Sequence, residues 1–253
     1  QGDPSTIYET HLRPLMNRHF AVITDTKTVI AEMVYASETV LKQLKIRSPP
    51  DFQSAFRNLV HRPTKVSFLN MWLNDPQRRT FSKLVFEIDS SRVEEDQLNQ
   101  FVGFRIDHVF SQQEMLRVPD AITLRQDLRP ILDHVLLVLS NGNEICAQYM
   151  HSYFAHILQK RGAKTGVALV LVSMPGAGKG LFIDQFFGQQ ILGRESYIQV
   201  NNVQKILGKF NGCGSREVLV NLDEVSNQGA AFSLSDLLKS YITEPYIVVE
   251  KKC

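Results

Sequence analysis

Cysteine is scarce in this chain and poorly placed for structural use. Cys146, Cys213 and Cys253 are odd in number, widely spaced and form no CxxC pair. A disulfide framework and the usual zinc patterns are excluded, and a reducing intracellular compartment, cytoplasm or nucleus, is expected. Long hydrophobic runs are lacking too. No apolar stretch reaches the ~20 residues that a membrane-spanning helix needs, and no signal peptide opens the chain, so neither insertion nor secretion is expected. Charge of one sign is also missing. The 28 Lys and Arg against 26 Asp and Glu leave a net charge of +2, so any surface for nucleic acid must be local. No internal repeat or low-complexity tract appears.

What remains is ordinary globular material. The 253 residues are 43% hydrophobic and 21% charged, enough for one large domain or two small ones. The chain begins at Gln1 and stops at Cys253, directly after the strand-like YIVVEKK. It reads as a fragment of a longer protein.

Up to about Asp120 short strand-like runs alternate with turn signals: HFAVI, TVIAEMVY, KVSFLNMWL and SKLVFEI. Pro49-Pro50 separates the first two runs from a short helical stretch, DFQSAFRNLVH. These features predict a small mixed α/β domain rich in antiparallel strands, residues 1–128. From Arg129 the pattern turns helical. RPILDHVLLVLSNG ends in the stop signal Asn-Gly. NEICAQYMHSYFAHILQKRG places Ile145, Tyr149, Tyr153 and Ile157 four apart, with Cys146, Met150, Phe154 and Leu158 beside them. That is an amphipathic stripe suited to core packing, in a helical connector over 129–162. From residue 163 strands and helices alternate. VALVLV reads as a parallel strand buried on both faces. GLFIDQFFGQQILG, NVQKILGKF and SLSDLLKSYIT read as helices, the last with a serine cap, and YIQV and EVLVNLDE as strands. The fold class is therefore α/β, a doubly wound parallel core over 163–253 that is cut short at its C-terminus.

Between the first of those strands and its helix stands SMPGAGKG. The phosphate-loop pattern is Gly, four residues, Gly-Lys, then Ser or Thr. Ser173 takes the first glycine position, Gly178 and Lys179 are in place, and Gly180 takes the hydroxyl position. Gly176 and Gly178 allow positive φ and close approach of backbone N–H groups to phosphate. Lys179 can reach the terminal phosphates, and the helix that follows directs its positive end at them. The absent hydroxyl normally ligates Mg²⁺, which still keeps waters and phosphate oxygens. The competing reading is a glycine-rich turn capped by lysine. VLVNLDEV then supplies a Walker B pattern, in which Asp223 would hold Mg²⁺ through water and Glu224 would polarise an attacking water. Alone, it reads equally as a strand ending in a solvated acidic turn. Together the two motifs favour binding and hydrolysis of a nucleoside triphosphate.

The ordered set HILQKRGAKTGVALVLVSMPGAGKG, LGKFNG, VLVNLDEV, LLKSYIT and VVEKK resembles the superfamily-three helicase domain. More closely, it is similar to the branch found in viral and phage primase–helicases and primase–polymerases, where the Gly-Lys-Gly loop recurs. The resemblance covers roughly Leu132 to Cys253. A weaker similarity, in NRHFAVI, FLNMWLNDPQRRTFSKLVFEID and LNQFVGF, extends to the region before the helicase and assigns no chemistry there. The resemblance implies an AAA+-type P-loop ATPase that assembles as a ring, usually a hexamer, and translocates on single-stranded DNA. Carried over by position, Pro175, Gly176, Ala177, Gly178, Lys179, Gly180 and Leu181 would hold ATP. Lys179, Asp223 and Glu224 would act in hydrolysis, with Asp223 on Mg²⁺. Lys239, Lys251 and Lys252 fall in the following motif, whose lysine grips DNA phosphates in related helicases, with Lys252 the preferred match. Such contacts are independent of base sequence and salt-dependent. Lys251-Lys252 read equally as a solvated strand end. The family's γ-phosphate-sensing asparagine and arginine finger lie beyond Cys253, which puts hydrolysis by this stretch alone in doubt.

Other features carry less. Arg78-Arg79 with Trp72 and Phe81 could stack on single-stranded bases, but WLNDPQRRTF reads better as a hairpin with a basic turn. His151 and His156 are spaced wrongly for a shared metal on one helical face. Asp107-His108 and Asp133-His134 lack a nucleophile motif, which rejects hydrolase readings. Asn211 marks either a turn or a DNA-facing position. The reading that results is an ATP-dependent DNA helicase segment of a viral, phage or mobile-element replication protein, with a primase or polymerase domain upstream. The alternatives are a nucleotide kinase, for which the lid arginines are missing, and a degenerate ATPase that binds DNA or a ring partner without turnover.

Overall fold

The computed structural model of the chain describes residues 3–35, 41–112, 121–201, 206, 217–223 and 231–244. Two compact units form, residues 1–102 and 103–253. The change of pattern along the sequence put the break after residue 128, whereas helix Arg105–Gln112 groups with the second unit. Both units are mixtures of helices and small sheets, so the chain is α/β.

In the first unit, strands β1 (Phe20–Ile23), β2 (Val29–Tyr35), β3 (Leu41–Arg47) and β4 (Thr80–Phe81) form one sheet in the order β3-β2-β1-β4. β2 runs antiparallel to both β1 and β3, but β4 runs parallel to β1. β5 (Lys83–Val85) and β6 (Gln97–Asn99) make a separate parallel pair. Among the described strands antiparallel pairing is thus confined to β1, β2 and β3. Side chains alternate across the sheet with the two-residue period of a strand. Val22 and Ile30 join a core with Tyr8, Met16, Phe52 and Trp72, while Ile23 and Ala31 pack on the other face with Leu98.

Two strand expectations fail here for one local reason. KVSFLNMWL is not a strand: Phe68–Leu73 is a helix, with Ser67 Oγ accepting the Asn70 N–H at 3.2 Å as its cap. Phe68, Leu69 and Trp72 fall on one helical face and are buried. A short apolar run satisfies either period, and the serine cap decides it. The hairpin read in WLNDPQRRTF is absent as well, since Trp72 and Leu73 belong to the helix and Thr80–Phe81 pairs with β1 instead. Trp72 is fully buried, and its indole N–H donates to Asn17 Oδ1 at 2.8 Å, so it cannot stack on a base. The helix expected over DFQSAFRNLVH is present but starts earlier and ends sooner, as Pro49–Phe56, because Ser48 caps it and the two prolines fill its first turn.

In the second unit, helix Ala121–Asp133 runs on as His134–Leu139 and stops at Asn141 and Gly142, with φ of 48° and 75°. The Asn-Gly stop signal works as expected. Asn143 then caps helix Glu144–Gln159 by accepting the Cys146 N–H at 3.0 Å. Only part of the predicted stripe is buried. Ala147, Met150, Phe154 and Ile157 face the interior, whereas Ile145 is 80% exposed and Tyr149 is exposed too. Phe154 decides the face by meeting the rings of Phe182 and Phe187 at 5.1 and 4.5 Å.

Helix Leu181–Leu192, wound with the wider π pitch, follows the loop. Strands β7 (Tyr197–Val200) and β8 (Leu219–Leu222) pair in parallel. Helix Ala231–Thr243 starts ahead of the serines expected to cap it. The clearest departure is VALVLV, which forms no strand; Val170 and Val172 are 82% and 92% exposed. An extended run becomes a strand only when a neighbour takes up its backbone groups, and β7 and β8 pair with each other instead. Among the described residues the sheet of this unit is therefore two-stranded. NVQKILGKF, apart from the buried Ile206, and YIVVEKK lie outside the described residues, as do Asn211, Cys213 and Cys253. No helix among the described residues is long and apolar enough to cross a membrane.

Candidate functional site

The loop from Ser173 to Gly180 has the backbone that its glycines predict. Gly176 and Gly178 stand at φ of 81° and 79°, in the region that only glycine enters freely. Helical structure begins at Lys179, and the Phe182 N–H donates to Gly178 O at 3.3 Å. The Lys179 ammonium therefore stands at a helix N-terminus, where backbone N–H groups are free and the dipole favours an anion. Lys179 Nζ donates to Ser173 Oγ at 2.6 Å. Ser173, in the place of the expected first glycine, holds the lysine across the loop.

The two loop glycines differ in their surroundings. A Cβ on Gly176 would meet nothing within 4 Å, so the space beside it is open. A Cβ on Gly178 would come within 2.6 Å of His134 Cε1. His134 Nε2 lies 3.2 Å from Gly178 O, and in the tautomer that carries its proton there it donates to that carbonyl. His134 also lines an apolar pocket of ≈ 300 Å³ with Pro130, Ile131, Leu181, Phe182 and Phe186, next to the loop. That volume is at the small end of ligand sites.

Gly180 has a third environment. Its Cβ would fall 2.9 Å from Asp184 Oδ2. The other carboxylate oxygen of Asp184, Oδ1, accepts from Asn221 Nδ2 at 2.7 Å and from the Tyr197 hydroxyl. Burial first, and then this bond to a carboxylate, push the Tyr197 pKa above the ordinary phenol value. Asp184 thus ties the loop helix to β7 and β8. Asp223 stands just past β8, with its N–H donating to Val200 O at 2.9 Å and its Oδ2 accepting from Gln199 Nε2 at 2.7 Å. Asn221 and Asp223, two apart, lie on one face of that strand.

The contiguous set Pro175, Gly176, Ala177, Gly178, Lys179, Gly180 and Leu181 is therefore brought into one loop and helix start, and the strand leading to Asp223 is tied to it through Asp184. Lys239 is an exposed helix residue whose ammonium pairs with Asp236 at 3.4 Å, a contact of little energetic weight. Glu224, Lys251 and Lys252 lie outside the described residues. His134, Asp184, Tyr197, Gln199 and Asn221 were not singled out for this site from the sequence. Asp184 alone carried a local signal, since it lies four residues after Gly180 on a helix and so on its face.

Among the described residues no group of three or more His, Cys, Asp or Glu gathers as a metal site. The two carboxylates, Asp184 and Asp223, supply hard oxygen donors of the kind Mg²⁺ takes together with phosphate oxygens and water. The residues present fit that ion in the company of a nucleotide.

Residues 171–253 match the model of a family of unknown function, DUF5906. No curated protein and no solved structure matches the chain. The DUF5906 match contains the whole loop, β7, β8 and Asp223, so the features gathered here fall within it, except for His134 and the helix that carries it.

Proposed function

We propose that the second unit is the P-loop core of an ATP-dependent DNA helicase from a viral, phage or mobile-element replication protein. The observation that carries the reading is the loop itself. Two glycines at positive φ lead into a helix whose first residue is a lysine, while an acid ends a neighbouring parallel strand. Backbone N–H groups of 176–181 and the Lys179 ammonium would cradle the β- and γ-phosphates. Ser173 releases the lysine when phosphate arrives, exchanging a neutral acceptor for a charged one. The apolar pocket at Leu181 and Phe182 supports placing the base there. Asp223 would orient a Mg²⁺-bound water, and Glu224 would polarise the attacking water. Bound Mg²⁺ supplies charge neutralisation at the β- and γ-oxygens.

Assembly as a ring on single-stranded DNA, with Lys239, Lys251 and Lys252 toward phosphates, belongs to the same proposal. The second reading, an ATPase fold that binds DNA or a ring partner without turnover, is favoured by Gly180 and by the unpaired run at 167–172.

The deciding experiment is Mg²⁺-dependent binding of a fluorescent ATP analogue to the chain and to Lys179→Ala. Losing a charge-assisted contact of about 1.5–3 kcal/mol weakens binding roughly 10- to 100-fold. Equal binding by both chains, or none by a folded wild-type chain, rejects the nucleotide site.

A further inference from the structure

We propose that Asp184 replaces the missing loop hydroxyl, presenting Oδ2 to the nucleotide-bound Mg²⁺ through a water. The inference rests on the nucleotide reading of the loop, and three observations carry it.

The first is steric. Position 180 cannot bear a side chain while Asp184 holds its place, because a Cβ there would lie 2.9 Å from Oδ2. The carboxylate oxygen stands 2.9 Å from the point where a serine or threonine side chain would begin, in contact with the space its hydroxyl would take. Gly180 and Asp184 are therefore a matched pair, and the glycine is not simply a degraded motif.

The second is the division of labour between the two carboxylate oxygens. Oδ1 takes both donors from the sheet, Tyr197 and Asn221, which fixes the plane of the group. Oδ2 is left facing Gly180 and the start of the loop helix. A carboxylate fixed through one oxygen, whose other oxygen takes no hydrogen bond among the described residues, is what an outer-shell metal ligand needs.

The third is charge. Asp184 is part-buried, its donors are neutral groups, and no Lys, Arg or His among the described residues forms an ion pair with it. Its negative charge is thus left without an ion-pair partner among the described residues and can attract a bound cation. The strand that holds Oδ1 through Asn221 leads to Asp223 on the same face, about 7 Å further along. The two acids thus approach one region from the helix side and the strand side.

A purely structural role, tying helix to sheet through Oδ1, is the rival, and Asp184→Asn separates the two. Asparagine keeps an acceptor for Tyr197 and Asn221 and removes the charge at Oδ2. The measurement is the Mg²⁺ midpoint for binding of a fluorescent ATP analogue, with a thermal melt of each chain. Asp184→Asn should raise the Mg²⁺ midpoint about tenfold or more and should not weaken binding without divalent ion, since it removes a negative charge that repels the phosphates. The double variant Gly180→Ser with Asp184→Ala frees the space and restores a hydroxyl, and should recover most of the midpoint lost in Asp184→Ala. A wild-type midpoint in Asp184→Asn overturns the assignment while leaving the nucleotide site standing. A melt far below wild type for Asp184→Asn makes the residue a structural tie and also overturns it. Wild-type binding no better than that of Lys179→Ala rejects the nucleotide site and the assignment together.

Discussion

Phe20–Ile23 in the first unit and residues 167–172 in the second are both short, uncharged and apolar, yet they end in opposite environments. The first becomes β1, flanked by β2 and β4, and Ala21, Val22 and Ile23 are all buried. The second forms no strand and leaves Val170 and Val172 almost wholly in solvent. The difference does not come from composition. β1 has a partner six residues further on, where Val29 pairs with Ile23 across a short turn, whereas nothing adjacent in sequence folds back on the later run. Apolar content makes burial favourable, but hydrogen-bonded neighbours are needed before an extended chain can be buried at all.

The comparison can be broken most forcefully in the first core. Trp72→Ala should cost about 3–5 kcal/mol in urea unfolding followed by far-ultraviolet dichroism, since the ring is fully enclosed. A loss below about 1 kcal/mol would mean that this core is no better closed than the exposed run.

At the loop, Gly178→Ala should cost more than Gly176→Ala. Both residues pay about 1–2 kcal/mol for a left-handed backbone, but only the first also collides with His134. Thermal melts of the two variants, with and without His134→Ala, check this. His134→Ala should relieve the Gly178 variant and leave the Gly176 variant unchanged.

A smaller effect should appear in acid. The Tyr8 hydroxyl donates to Asp75 at 2.7 Å and, with the Gln77 N–H and Arg13, holds that carboxyl below its ordinary value against the opposing effect of burial. A depressed folded pKa adds stability that is full above the unfolded value, about 3.9, and is lost as pH falls through the folded one. Tyr8→Phe should remove about 1 kcal/mol at neutral pH and flatten the acid limb of the stability curve. An unchanged limb between pH 5 and pH 2, on the order of the carboxylate range, would show the bond to be inert.

The smallest change is expected in the exposed run. Val172→Ala and Ile145→Ala should each stay within about 0.5 kcal/mol of wild type, as surface substitutions do. A Val172→Ala loss near that of Trp72→Ala would show that the run is covered in solution.

Much of the local structure was legible in the residues. Asn141-Gly142 ends a helix, and Gly176 and Gly178 take positive φ, as the residues predict. Each of these is decided within a few residues by backbone sterics and one short side chain. KVSFLNMWL shows the limit of such reading, because six apolar residues fit two periods and one serine tips the balance. The site was half legible for the same reason. The loop and the strand acid are contiguous motifs, whereas His134 meets Gly178 across 44 residues and Asn221 meets Asp184 across 37.

The sequence by itself determined the helix stop at Asn141-Gly142, the helical stripe that follows it, and where the loop turns through positive φ. Those choices are made by torsional sterics and hydrogen bonds to near neighbours. Tertiary structure alone decided that Phe154 rather than Ile145 faces inward, that VALVLV stays unpaired among the described residues, and that Asp184 fills the space left by Gly180. Contacts between distant residues depend on which surfaces the assembled elements offer one another, and no local pattern contains that information.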